Sequence, residues 1–156
     1  MKILVFSDSH RYANCMINAI ELESPELILH LGDLESDCSE VKTRYPEIPF
    51  RSVKGNCDPW SNGKDVCEFT VCGKHIFMTH GHLHGVKKGI GSLVRAAEDR
   101  GADILLYGHT HIPFCDIGKE LSIINPGSIG AATRVFAVLE ISDDGAIDCT
   151  FKETGF

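Results

Sequence analysis

Long apolar runs are missing from this sequence. No stretch approaches the ~20 consecutive apolar residues of a membrane-spanning helix, so no membrane partner is expected. The apolar run near the start, Ile3 to Phe6, is too short for the core of a secretion signal. Paired cysteine motifs are missing too. The seven cysteines (Cys15, Cys38, Cys57, Cys67, Cys72, Cys115 and Cys149) are odd in number and contain no Cys-x-x-Cys. Their spacing resembles no small secreted disulfide framework, which points to reduced thiols in a cytoplasmic protein. Basic residues are few: 15 Lys and Arg stand against 22 Asp and Glu, a formal charge of −7. Gripping a nucleic-acid backbone requires the opposite balance, so no extended nucleic-acid surface is expected. Repeats, low-complexity segments and linkers are absent, and residues 1–156 read as one domain.

What is present is an ordinary apolar content, 43%, in a chain long enough to bury a core. The first half alternates. Apolar runs at 2–6, 27–31 and 50–53 read as buried strands, and the segments 14–23 and 36–45 between them read as helices. Strand–helix–strand–helix–strand predicts parallel pairing. The second half is richer in strands. The segments 65–71 and 75–79 predict a hairpin, 91–100 a helix capped by Gly101, and 103–107 a further strand. Four more runs follow at 114–117, 121–124, 134–141 and 146–152, with Asp144-Gly145 as a hairpin turn. The expected fold is α/β: two mixed sheets packed face to face, with helices outside.

The polar residues that matter stand where the runs stop. The stops read Asp8-Ser9-His10, Gly32-Asp33, Gly55-Asn56, His80-Gly81-His82 and Gly108-His109-Thr110-His111. In open α/β sheets, ligands sit outside the carboxyl ends of the strands. Imidazole with carboxylate suits Mn²⁺, Fe²⁺ or Zn²⁺, and one carboxylate has oxygens enough to serve two ions. The glycines before Asp33, Asn56 and His109 are expected to let the backbone turn sharply. Each group alone is ordinary, since Gly-Asp after a strand is usually a turn. Five in order, each at the end of an apolar run, are not explained by chance.

The ordered set D-S-H, G-D, G-N-C-D, H-G-H, G-H-T-H resembles the calcineurin-like metallophosphoesterase pattern D-x-H, G-D, G-N-H-[DE], H, G-H-x-H. The short length and Asn125-Pro126-Gly127-Ser128 are most similar to its small bacterial and archaeal phosphodiesterase branch. The resemblance implies a four-layer α/β/β/α sandwich. It also implies two divalent ions, Mn²⁺ first, with Fe²⁺, Zn²⁺ or Ni²⁺ as alternatives. Asp8, His10 and His111 would hold one ion, Asn56, His80 and His109 the other, and Asp33 would bridge them. Asp33, Asn56 and His109 are the implied catalytic residues. The implied reaction is attack of a metal-bridging hydroxide on a small phosphodiester. The implied alternative is a non-catalytic scaffold like the retromer subunit of the same fold, which would have lost ligands. A homodimer is compatible with either reading.

One departure stands at Cys57, where many family members have His. A thiol is a weak hydrogen-bond donor and a poor acid at neutral pH, which favours diesters over monoesters of poor leaving groups. His30 and His75 lie within strand patterns and read as structural. His82 and His84 are loop histidines or substrate contacts in equal measure. Arg11 and Arg134 are expected to be solvated.

Overall fold

The structure, a computed structural model, describes residues 1–155. Two five-stranded sheets face each other. The first is built on β1 (Lys2–Phe6), which pairs parallel with β2 (Leu27–His30); β2 pairs parallel with β3 (Phe50–Ser52). Helices α1 (Ala13–Glu23) and α2 (Glu35–Arg44) make the two crossovers. Late in the chain β9 (Val135–Ile141) returns antiparallel to β1, and β10 (Ile147–Glu153) completes that edge. The second sheet runs β4 (Val66–Val71), β5 (Lys74–Thr79), β6 (Ile104–Tyr107), β8 (Ser122–Asn125) and β7 (Phe114–Asp116). Helix α3 (Gly91–Asp99) leads into β6.

The two-residue period of each strand divides its side chains between two cores. Ile3 and Val5 of β1, Ile76 and Met78 of β5, Ile104 and Leu106 of β6, and Ala137 and Leu139 of β9 fill the layer between the sheets. Leu4, Phe6, Phe136 and Val138 face the other way, onto Met16, Ile17 and Ile20 of α1 and Val41 of α2. Phe77, Leu105 and Tyr107 pack with Leu93 and Ala97 of α3. Strands buried on both faces read as continuous apolar runs, which is why β1, β2 and β6 stand out in the sequence. The layers are helix, sheet, sheet, helix, as expected.

Local chemistry sets the ends. Ser24 closes α1 in a left-handed conformation before Pro25, and Gly101 (φ +65°) donates to the Glu98 carbonyl at 2.9 Å after α3. Gly145 (φ +83°) turns the β9–β10 hairpin. A 3₁₀ turn, His82–His84, was not expected from the sequence.

His30, at the end of β2, is fully buried in a chain of hydrogen bonds. Ser9 Oγ donates to Asp37 Oδ2 at 2.7 Å, so it accepts from His30 Nε2 at 3.2 Å; His30 Nδ1 accepts from the Gly32 N–H at 3.2 Å. The ring is therefore the neutral Nε2–H tautomer. Burial pushes its pKa down to about 4, the nearby Asp58 charge only partly opposing this. The unfolded chain takes a proton near pH 6.5 that the folded chain refuses until about pH 4. Stability from this group is complete above pH 6.5 and falls as the pH drops through that window. At about 1.4 kcal/mol per pH unit, denaturant unfolding at pH 4.5 should show a loss on the order of 3 kcal/mol relative to pH 7. His30→Gln should show a loss smaller by about that amount; equal losses in both proteins would show that His30 is not the group responsible.

Candidate metal centre

The loops that follow β1, β2, β3, β5 and β6 meet at one edge of the sandwich. Asp8, His10 and His111 bring ligand atoms within 4.8 Å of one another, and so do Asp33, His80 and His109. Asn56 joins the second group, its Oδ1 lying 3.1 Å from His80 Nε2. Asp33 Oδ2 stands 3.5 Å from His80 Nε2 and 3.9 Å from His10 Nε2, so a single oxygen faces both groups. All seven residues singled out in the sequence are thus gathered in one place.

The backbone is bent to do this. Asp8 (φ 54°), His10 (44°), Asp33 (65°), His109 (68°) and His111 (61°) are left-handed. This conformation is costly for residues bearing a Cβ, and such strain gathers at functional sites. The expected role of the glycines is corrected here. Only Gly32 of the three has positive φ (+100°). Gly55 and Gly108 are required by crowding. A Cβ on Gly55 would lie 2.1 Å from Asp33 Oδ1 and 2.5 Å from Asp33 N; on Gly108 it would lie 2.0 Å from Ser7 Oγ. The turning is done by the acidic and histidine residues themselves.

Asp8 and Asp33 each have one oxygen secured and one turned to the site. Asp8 Oδ2 accepts from Ser7 Oγ (2.5 Å) and the His109 N–H (3.1 Å), while Oδ1 faces His111 Nε2 at 3.0 Å. Asp33 Oδ1 accepts from the Cys57 N–H at 2.8 Å, leaving Oδ2 free to face His10 and His80. Burial works to raise the Asp33 carboxyl, but hydrogen bonds from His80 and the Cys57 N–H outweigh it and hold it well below the usual carboxylate range.

The donor set fits divalent metal ions. His80 Nδ1 lies 2.7 Å from the Leu31 carbonyl, which can only accept, so Nδ1 carries the proton. In the neutral ring Nε2 is then a lone pair. It faces the Asn56 carbonyl oxygen and, at 3.2 Å, His109 Nδ1. Acceptors gathered around Nε2 favour a cation there, whether a proton on His80 or a metal ion. Burial lowers the tendency of His80 to charge, yet Asp33 and Asp8 overcome it and its pKa is raised. His109 and His82 are lowered, by burial first and then by the His80 charge.

Residues to which the sequence assigned no role hold this site together. Asp58, the last letter of G-N-C-D, accepts the N–H groups of Gly55 (2.8 Å), Asp33 (3.0 Å) and Glu35 (2.9 Å). It ties the β2 and β3 loops together and caps α2, which has no side-chain cap of its own. Asp37 accepts from Ser9 Oγ and the Arg11 N–H. Ser128 Oγ donates to the Asp8 carbonyl at 2.9 Å. Asn125 Nδ2 donates to the Gly108 carbonyl and Thr110 Oγ1. The remaining candidates divide. His75 is structural, bonded to Gly101 and paired with Glu68. The His82 ring lies 5.3 Å from that of His80, while His84 closes the 3₁₀ turn. Arg11 is exposed as expected, but Arg134 is half-buried over the Tyr12 ring, which corrects the solvated reading.

Residues 1–144 match the profile of the calcineurin-like phosphoesterase superfamily domain. The chain belongs to that superfamily. Like other calcineurin-like phosphoesterases, it acts on phosphoester bonds with divalent metal ions. It is 35% identical to the probable metallophosphoesterase YsnB of Bacillus subtilis, over 99% of this chain and 93% of that protein. It is 26% identical to the phosphodiesterase YfcE of Escherichia coli K12, over 83% of this chain and 79% of that one. A solved structure from Streptococcus pneumoniae TIGR4, described as a predicted phosphoesterase, superposes with a TM-score of 0.79. Identity there is 26%, covering 99% of this chain and 92% of that one.

Asp58 gives this phosphoesterase a testable dependence. In Asp58→Asn one oxygen becomes an NH₂ group opposed to backbone N–H donors. Calorimetric Mn²⁺ affinity should fall about 10–100-fold, the range for residues that orient metal ligands. Unchanged affinity would show that the clamp does not position Asp33.

Proposed function

We propose that this chain is a cytoplasmic two-metal phosphodiesterase acting on a small phosphate diester, with Mn²⁺ as its first-choice metal. The observation that carries the reading is Asp33 Oδ2 facing His10 on one side and His80 on the other. Asp8, His10 and His111 would hold one ion, and Asn56, His80 and His109 the other, with Asp33 shared. Paired divalent ions supply Lewis acidity and make water a nucleophile near neutral pH. The chain's own residues supply orientation. The Leu31 carbonyl fixes the His80 tautomer, the Cys57 N–H fixes Asp33, and the His109 N–H fixes Asp8. Among the described residues no helix is long and apolar enough to cross a membrane, in keeping with a water-phase substrate.

Preference for a diester rests on Cys57. Its thiol is exposed at the rim, beside Asn56 Nδ2 at 3.6 Å. Burial and then the Asp33 charge push its pKa above the ordinary thiol value. It brings neither the positive charge nor the acidic proton that a monoester dianion with a poor leaving group needs most. The name of the relative YfcE supports the same class. A scaffold of this fold without catalysis is the weaker reading, because all seven ligand-type residues are kept.

Two measurements test this. Elemental analysis after Mn²⁺ reconstitution should give two ions per chain, and Asp33→Ala should lose at least one; a single ion in wild type counts against the shared site. Wild type should hydrolyse an aryl diester faster than the matching aryl monoester. Cys57→His should raise monoester turnover by about 10²-fold, the low end of general acid catalysis. A wild-type preference for the monoester, with no gain in the variant, would remove the diester assignment.

A further inference from the structure

A cavity of about 310 Å³ opens beside the candidate metal centre, lined by Val86, Lys87, Tyr107, Thr110, Ile112 and Phe114. We propose that it binds an apolar ester substituent of the substrate, an aromatic ring or a comparable hydrocarbon group, while the scissile phosphate lies at the metal ions. This deepens the phosphodiesterase reading and rests on it.

Position is the first argument. Thr110 stands between His109 and His111, so the backbone that carries two of the proposed ligands is also a wall of the cavity. That wall is fixed: Thr110 Oγ1 accepts from Asn125 Nδ2 at 3.0 Å and from the Ile112 N–H at 3.3 Å. The cavity and two of the proposed ligands therefore share one loop.

Wall chemistry is the second. Val86 and Tyr107 are buried and give an apolar floor, while Ile112 and Phe114 are 68% and 40% exposed. These two side chains give the cavity a hydrocarbon rim open to a ligand. Lys87 adds a cation on the rim. An apolar pocket with one cation on the phosphate side suits an ester monoanion with a hydrocarbon arm. The volume falls at the low end of small-molecule pockets, about 300–1,000 Å³. Other cavities do not compete. One lined by Lys74, Asp103 and Glu120 lies where β6 begins, at the opposite end of that strand.

The cavity therefore discriminates among phosphate esters by the apolar character of one substituent, independently of Cys57.

The test is calorimetry on Mn²⁺-loaded protein with two probes, methylphosphonate and phenylphosphonate. Wild type should bind phenylphosphonate about tenfold tighter, the size expected when one ring is moved partly out of water. In Ile112→Ser that ratio should fall to about twofold or less, and Phe114→Ser should behave alike. Methylphosphonate binding in wild type with no added affinity for the phenyl probe would overturn the inference and leave the phosphoesterase reading standing. So would a phenyl preference that both variants keep. Failure of both probes to bind would remove the phosphate site itself, and the inference with it.

Discussion

Three backbone N–H groups on one buried carboxylate hold the candidate site in shape. Asp58 takes them from Gly55, Asp33 and Glu35, which belong to two loops and the first turn of a helix. Hydrogen bonds to a carboxylate are charge-assisted and stronger than neutral ones. Asp33 is thereby referred to α2 on one side and to the β3 loop on the other. Gly55 has no room for a side chain because Asp33 is drawn so close. The sharing of Asp33 between two histidine groups follows from that closeness.

The architecture explains why so many ligands reach one point. Parallel strands end on the same side, so β1, β2 and β3 deliver their loops to one edge of the first sheet. The parallel strands β5 and β6 do the same for the second. Stacking the sheets brings the two edges together. The apolar layer between them, with Ile3, Val5, Ile76, Met78, Ile104 and Leu106, fixes their spacing. The ligands are polar, but their mutual distance is set by hydrocarbon.

Much of this was legible in the sequence, for a physical reason. Strands buried on both faces must be apolar throughout, so their ends are abrupt, and an Asp or His at such an end stands out. The strand ends drew attention to the candidates, and the resemblance in motif order selected the seven ligand-type residues. Asp58 was not among them, although its letter lay inside a quoted motif, because a capping carboxylate looks like any loop Asp until its partners are in space. Gly55 and Gly108 were noticed for the wrong reason: crowding by Asp33 and Ser7 leaves no trace in a sequence. Arg134 was misjudged because half-burial depends on Tyr12, more than a hundred residues earlier. The apolar cavity was invisible for the same reason. Val86, Tyr107 and Ile112 come from three segments, each unremarkable alone.

The left-handed backbone at Asp8, His10, Asp33, His109 and His111 has a consequence for how such a protein would decay. Each of these positions costs the fold about 1 kcal/mol or more, and glycine or asparagine there would relieve part of it. Selection for stability and selection for the site therefore pull in opposite directions at five places. In a lineage that stopped using the chemistry, those would be the first to relax. Glycine or asparagine at these positions in a descendant would be a record of retirement, readable without any assay.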